Sequence, residues 1–154
     1  MLGRTGMSVS EIGLGTWSFA SRAYGDVDQK DAEAVVQTAL DGGITLFDTA
    51  PLYGTSDEDG ISERILGGAL GTRRDEILIS TKFGRGSSFR NTAFDADGVV
   101  ASVEASLGRL STDRIDVLFF HSPFGADEIE DDVSMGNNFA EIDDEIVEVI
   151  EIDD

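Results

Sequence analysis

The chain has 154 residues, with 31 acidic against 11 basic side chains and no cysteine. Without cysteine it can form neither a disulfide scaffold nor a thiolate metal site. A net charge of −20 argues against nucleic-acid binding, because a phosphate backbone attracts a basic surface and repels an acidic one. With 40% apolar residues the composition is globular, and the length favours one domain.

The sequence also carries signals about compartment and salt. No apolar run reaches the roughly 20 residues that cross a bilayer, and the N-terminus lacks a signal peptide's apolar region. We therefore expect a cytoplasmic protein without membrane contact. Only two of the basic residues are lysines, Lys30 and Lys82, and surplus negative charge holds hydration and cations in concentrated salt. This predicts a halophilic protein; an ordinary acidic protein with an acidic tail is the alternative.

Up to residue 123 the chain alternates short apolar runs with helical stripes. The apolar runs predict strands at residues 12–15, 44–47, 77–79 and 115–120. Strands separated by helices of 10–15 residues indicate βαβ crossovers and a parallel sheet. We therefore predict an α/β fold of the parallel (β/α) barrel type, with about four βα units present.

Capping residues and glycines predict where three helices begin or end. Asp28 is the predicted N-cap of the first helix, and Gly42-Gly43 ends it. Gly71 follows the second helix, and Asp97 is the predicted N-cap of the third. The predicted buried faces consist of Ala32, Val35, Val36, Ala39 and Leu40; of Ile61, Ile65, Leu66, Ala69 and Leu70; and of Val100, Val103, Leu107 and Leu110.

A polar residue follows each apolar run, at its end or within three residues of it. These residues are Thr16, Asp48, Lys82 and His121, separated by 32, 34 and 39 positions. In a parallel barrel the carboxyl ends of the strands converge on one rim, where catalytic side chains gather. Each residue alone also fits a structural role, such as a turn cap or a solvated charge. Their common placement predicts a reactive site.

Four motifs in chain order resemble those of the aldo-keto reductase family. They are Leu2-Gly3-Arg4-Thr5-Gly6 with Ile12-Gly13-Leu14-Gly15-Thr16, Phe47-Asp48-Thr49-Ala50 with Leu52-Tyr53-Gly54 and Ser62-Glu63, Ile79-Ser80-Thr81-Lys82-Phe83-Gly84, and Asp113-Arg114-Ile115-Asp116 with His121-Ser122-Pro123. Four ordered motifs are more specific than any one of them. The resemblance implies that residues 1–123 form the N-terminal half of a (β/α)8 barrel. It also implies an NADP(H)-dependent oxidoreductase that reduces aldehydes or ketones.

The family's catalytic tetrad has matching positions at Asp48, Tyr53, Lys82 and His121. By resemblance, Tyr53 donates the proton to a carbonyl oxygen while the nicotinamide supplies a hydride. Lys82 would stabilise the phenolate, Asp48 would orient Lys82, and an imidazole at position 121 would hydrogen-bond the carbonyl oxygen. Thr16 and Trp17, with Asp48, match positions near the nicotinamide. The implied cofactor is NADP(H) and the implied substrate a small carbonyl compound.

The family's second half holds the nicotinamide and its phosphates, and those residues have no matching positions here. We therefore expect a homo-oligomer or a complementary C-terminal half to complete the barrel. The alternative is a non-catalytic half-barrel that acts in binding or assembly. No metal site is expected, because the acidic stretches at 57–60 and 95–98 lack calcium-loop spacing.

Residues 124–154 are predicted to be a separate acidic segment. From residue 125 onward this segment holds 13 acidic and no basic side chains. A shortened fourth helix, an acidic tail that contacts a basic partner, and read-through after a truncation or frameshift all fit this composition. We favour the last interpretation, because the resemblance and the composition change together.

Overall fold

The computed structural model describes residues 1–20, 25–85 and 96–122, with the side chain of Ala96 excluded. The main elements alternate as β1 (Leu14–Gly15), α1 (Gln29–Asp41), β2 (Leu46–Asp48), α2 (Ile61–Leu70), β3 (Leu78–Phe83), α3 (Ala96–Leu110) and β4 (Val117–Phe120). Short 3-10 helices span Trp17–Phe19 and Gly71–Glu76. The predicted acidic segment at 124–154 lies outside the described residues.

The four strands form one parallel sheet in the order β1-β2-β3-β4. This confirms the predicted α/β fold. On β3 the side chains alternate: Ile79 and Phe83 pack into the cores under the helices, whereas Lys82 faces the opposite side with Asp48. The register pairs Asp48 with Ser80, so the carboxyl ends of β2 and β3 meet at the same edge. Among the described ranges, no helix is long and apolar enough to cross a membrane.

The ends of α1 and α2 follow the predicted caps. The side chain of Asp28 accepts a hydrogen bond from the Lys30 amide, 2.8 Å away, at the start of α1. Gly42 is the C-cap of α1, and Gly43 continues the chain at φ +79°, a conformation that glycine adopts without strain. Gly71 is the C-cap of α2. These signals are local, so the sequence carries them without help from tertiary contacts.

Two of the predicted buried helix faces are wrong in part. Val35 on α1 is 45% exposed and Val100 on α3 is 37% exposed. On α3 the predicted Val103 and Leu110 are buried and Leu107 packs partly buried against the core, whereas Val99 and Ser106 are buried in addition and Val100 is not. A hydrophobic pattern does not detect the position of Ser106, because this buried residue is polar. Asp97 lies within the first turn of α3, where its charge favours the helix dipole, and is not its N-cap.

All four strands begin later than the apolar runs predict, β3 by one residue and the others by two. Ile12 is 68% exposed, and β1 starts at Leu14 because Ser10 Oγ donates to the Ile12 carbonyl, 2.7 Å away, and bends the chain there. β4 starts at Val117 because Asp116 Oδ2 accepts the amide hydrogen of Ile79, at 2.7 Å. The carboxylate of Asp116 thus accepts the Ile79 amide hydrogen, which would otherwise bond to a carbonyl of the neighbouring strand.

Candidate active site

An ion pair between Lys82 and Asp48 lies at the carboxyl edge of the sheet. Lys82 Nζ is 2.7 Å from Asp48 Oδ2 and 2.9 Å from Oδ1. Asp48 is the last residue of β2 and Lys82 the penultimate residue of β3, and the strands are adjacent. The Lys82 side chain is 16% exposed, so the pair is only partly screened by solvent. The carboxylate fixes the position of the ammonium.

Two further groups hold this pair, and the sequence analysis assigned neither of them a role. Ser80 Oγ donates to Asp48 Oδ2 at 3.1 Å, and Lys82 Nζ donates to the Thr49 carbonyl at 2.9 Å. Ser80 lies two residues before Lys82 on the same strand face. That spacing was a usable signal for the serine. No sequence signal identifies a backbone carbonyl as a partner.

Tyr53 projects towards the same rim from the turn after β2. Its amide donates to the Ala50 carbonyl at 3.0 Å, and its carbonyl accepts from the Ser62 amide at 3.0 Å. The Lys82 ammonium lies over the Tyr53 ring, 5.0 Å from the centroid. This distance is within the range at which a cation and an aromatic face attract each other.

His121 follows β4 and completes the group. Its ring meets the Tyr53 ring edge-on, with centroids 5.9 Å apart and planes at 88°. The pKa of the imidazole is lowered to about 4, chiefly by burial and then by the nearby Lys82 ammonium, with a smaller contribution from the Arg85 guanidinium and an opposing effect of the Asp48 carboxylate. The imidazole is therefore neutral at pH 7 and offers one N–H donor. Its Nδ1 atom is buried and has no hydrogen-bond partner among the described residues.

Thr16 and Trp17 lie at the end of β1, beside this group. The Thr16 amide and hydroxyl both donate to the Asp48 carbonyl, at 2.9 and 3.0 Å. Thr16 is fully buried, whereas Trp17 is 47% exposed. Thr16 thus fixes the end of β2.

The structure brings all four predicted tetrad residues together. Asp48 contacts Lys82, Lys82 lies over Tyr53, and the Tyr53 ring meets His121. A phenol, an ammonium and a neutral imidazole can move and orient a proton at one oxygen atom. None of these groups carries a hydride, so a reduction at this rim needs a hydride donor of the nicotinamide class. The groups of this rim, which lie within contact of one another, fit the reacting end of such a cofactor.

Comparison with known proteins identifies the family of this arrangement. The family model described as "Aldo/keto reductase family" matches residues 11–151. Aldo-keto reductase YhdN of Bacillus subtilis is 40% identical over 125 residues, which cover 77% of this chain and 36% of that protein. A protein of Arabidopsis thaliana named as a probable voltage-gated potassium channel subunit beta is 36% identical over 141 residues, or 88% of this chain and 40% of its own.

A solved structure shows the same fold. A Pseudomonas aeruginosa protein classed as an aldo-keto reductase superposes with a TM-score of 0.79 at 34% identity, over 96% of this chain and 55% of that one. This chain therefore covers only part of the barrel of its solved neighbours, and well under half of the two curated relatives' length. The family match extends to residue 151, past residue 123, where the quoted motifs end. The chain belongs to the aldo/keto reductase family.

Proposed function

We propose that this rim belongs to an oxidoreductase that reduces the carbonyl group of an aldehyde or ketone, with NADP(H) as hydride donor. The observation that carries the proposal is the contact chain Asp48–Lys82–Tyr53–His121. Each link joins residues from different strand ends, which packing alone does not require. The naming of YhdN as an aldo-keto reductase supports the same activity class.

Each residue has a separate task in this reaction. When bound, the nicotinamide supplies or accepts the hydride at the carbonyl carbon. Tyr53 donates its phenolic proton to the carbonyl oxygen, and the Lys82 ammonium stabilises the phenolate left behind. Asp48 keeps that ammonium in place, because both of its carboxylate oxygens accept from Nζ. The neutral imidazole of His121 donates to the carbonyl oxygen and fixes its direction before proton transfer.

The residues near the nicotinamide are proposed to be Thr16, Trp17 and Asp48. Thr16 donates hydrogen bonds to the Asp48 carbonyl, so these two residues hold the ends of β1 and β2 together. Trp17 presents the exposed surface beside it. The second half of the barrel, which this chain does not span, is proposed to bind the cofactor's phosphates, because barrel enzymes often hold phosphate in the loops after strands seven and eight.

NADPH oxidation with a simple aldehyde, followed by nicotinamide absorbance, tests the proposal. We expect turnover by the wild-type chain and a loss of at least about 100-fold in kcat for Tyr53→Phe, which retains the ring and removes the acid. Cofactor binding, followed by the fluorescence of Trp17, the single tryptophan, should be unchanged in that variant. Turnover that survives in Tyr53→Phe would contradict the proton-donor role.

The same assay separates the enzyme from a binding or assembly protein. One relative is named for a channel subunit, so family membership alone does not establish turnover. We propose that the remaining strands of a barrel meet the edge strands β1 and β4 in the active protein. Co-expression with the C-terminal half of a related reductase should therefore raise the turnover rate. NADPH binding without turnover in both preparations would favour the non-catalytic alternative.

A further inference from the structure

The first turn of α2 is bonded to three segments that carry the candidate site. The Ser62 amide donates to the Tyr53 carbonyl at 3.0 Å, and Ser62 Oγ donates to the Thr16 carbonyl at 2.9 Å. Glu63 Oε1 accepts from Thr81 Oγ1 at 2.7 Å, and Thr81 is the β3 residue next to Lys82. Two consecutive residues thus reach the strand-end loops of β1 and β2 and the strand β3.

Glu63 is a fully buried carboxylate, and such a group is costly unless its oxygens are paired. Its second oxygen, Oε2, accepts from Arg109 Nε of α3 at 2.6 Å, and Arg109 Nη2 donates in turn to Ser106 Oγ at 3.0 Å. Both carboxylate oxygens therefore have strong donors. The arrangement ties α2 to β3 on one side and to α3 on the other.

The backbone before α2 leaves space for the Glu63 carboxylate and for Arg109, because a glycine stands at position 60. Gly60 is the residue before α2 and has a left-handed φ of +62°. A Cβ atom at Gly60 would collide with Arg109 Nε and with Glu63 Oε2. Any larger residue here would therefore displace the ion pair as well as strain the backbone.

Thr81 and Lys82 point to opposite sides of β3, because successive strand side chains alternate. The Thr81 hydroxyl holds the helix-facing side of the strand against Glu63, while the adjacent Lys82 side chain lies at the rim. The backbone amide of Ser62, the residue before Glu63, donates a hydrogen bond to the Tyr53 carbonyl. The relative position of the Tyr53 ring and the Lys82 ammonium therefore depends on one short, rigid connection behind the sheet.

We propose that Ser62 and Glu63 are positioning residues, which act through Thr16, Tyr53 and Thr81 to hold the Tyr53 ring over the Lys82 ammonium. The inference rests on the proposed function for its kinetic consequence. Neither side chain reaches the rim, so neither touches a reacting atom. A misplacement of about 1 Å at a reacting group can cost roughly 100-fold in rate, which gives such a connection its importance.

Thr81→Val and Ser62→Ala test the proposal, with Thr81→Ser as the conservative variant. Thr81→Val keeps the side-chain shape and removes the hydroxyl donor to Glu63, whereas Thr81→Ser keeps that donor. We expect kcat for aldehyde reduction to fall roughly 10- to 100-fold in Thr81→Val, with NADPH binding unchanged. Ser62→Ala removes the hydroxyl donor to the Thr16 carbonyl and keeps the backbone bond from the Ser62 amide to Tyr53, so its loss of kcat should be smaller. Thr81→Ser should recover kcat to within about threefold of the wild type. Arg74→Ala, a destabilising change at the opposite end of β3, should leave kcat per folded chain unchanged.

A second measurement does not depend on turnover. His121 is the only histidine and lies edge-on to the Tyr53 ring, so the NMR signal of its imidazole senses movement of that ring. The signal should shift in Thr81→Val and Ser62→Ala and stay in place in Thr81→Ser and Arg74→Ala. Wild-type signals in both test variants would overturn the inference, as would a kcat loss no greater than that of Arg74→Ala. Shifted signals together with no turnover, either by the wild-type chain alone or after co-expression with a C-terminal half, would support the connection and reject the proposed function.

Discussion

The Lys82 ammonium lies over the ring of Tyr53, 5.0 Å from its centroid. Asp48 accepts hydrogen bonds from the same ammonium, so one cation contacts both a carboxylate and the ring of a phenol. A phenol that gives up its proton benefits from a nearby positive charge. Lys82 is therefore the residue whose removal should damage the proposed chemistry without removing the acid itself.

Replacing Lys82 by methionine should lower kcat for aldehyde reduction by about 100- to 10,000-fold, because the phenolate that forms at Tyr53 loses its counter-charge. Steady-state kinetics with NADPH and a simple aldehyde measure the loss. The chain supplies its own control, since Lys30 is the only other lysine and lies exposed in the first turn of α1. Lys30→Met should leave kcat unchanged. Equal losses in the two variants would remove Lys82 from the proposed machinery.

His121 should titrate far below the ordinary range of histidine. Its pKa is lowered from 6.5 to about 4, with burial as the largest cause and the Lys82 ammonium as the next. Because the chain has one histidine, an untagged preparation gives a single imidazole signal in proton NMR. We expect a titration midpoint near pH 4 in the folded chain and near 6.5 in urea. A folded-state midpoint near 6.5 would show that the ring is hydrated.

The same shift makes stability depend on pH with a defined sign. Below pH 6.5 the unfolded chain binds a proton at His121 that the folded chain binds only near pH 4. The unfolded state thus holds more protons in this window, so stability falls as the pH is lowered from 6.5 to 4. His121→Gln should lose less stability than the wild type between these values in urea titrations. An identical slope in both proteins would contradict the assignment.

The sequence predicts those parts of this site that topology alone determines. Residues that follow successive apolar runs, such as Asp48 and Lys82, must meet at one edge once the strands are parallel. The partners that orient them were missed. The two-residue spacing from Lys82 could have indicated Ser80, whereas no sequence pattern selects the backbone carbonyl of Thr49. On α3 the prediction took Val100 in place of Val99 and did not include Ser106, which lies buried in the same face. A search for hydrophobic patterns does not detect buried positions that are occupied by hydrogen-bonded polar residues.

A buried ion pair away from the rim should contribute strongly to stability. Arg74 Nη2 lies 2.6 Å from Asp116 Oδ2, and both side chains are 12% exposed. Arg74 also donates to Thr112 Oγ1 and to the Ile77 carbonyl. Removing Arg74 takes the nearest cation from a mostly buried carboxylate, which among the described residues keeps only Arg114 Nε at 3.8 Å, so Arg74→Ala should lower the free energy of unfolding by about 1 to 3 kcal/mol. Urea denaturation measures the change.

The neighbouring Arg73 provides the matched control for that measurement. It pairs with Asp41 and Glu76, whose side chains are 73% and 54% exposed. Solvent and salt screen such pairs, so Arg73→Ala should change the urea midpoint far less than Arg74→Ala. Similar midpoints for the two variants would mean that the Arg74 pair is solvated in the folded protein.

The net charge of −20 leads to a prediction about salt. Self-repulsion among carboxylates opposes folding in dilute buffer and is screened within about 3 Å at about 1 M salt. The melting temperature should therefore rise steeply between about 0.1 M and about 1 M KCl. Sucrose, which is uncharged and acts by exclusion from the surface, separates screening from general stabilisation. A flat response to KCl would reject the predicted halophilic character and leave the family assignment untouched.

Two adjacent glycines of α2 should respond in opposite directions to the same substitution. A Cβ at Gly67 would collide with the Leu110 carbonyl at the end of α3, whereas a Cβ at Gly68 meets nothing within 4 Å. Gly67→Ala must push α3 away from α2, so its melting temperature should fall. Gly68→Ala adds helix propensity on an exposed surface and should raise stability by up to about 1 kcal/mol. Thermal melts of the two variants check this, and a neutral Gly67→Ala would mean that the helices are not in close contact.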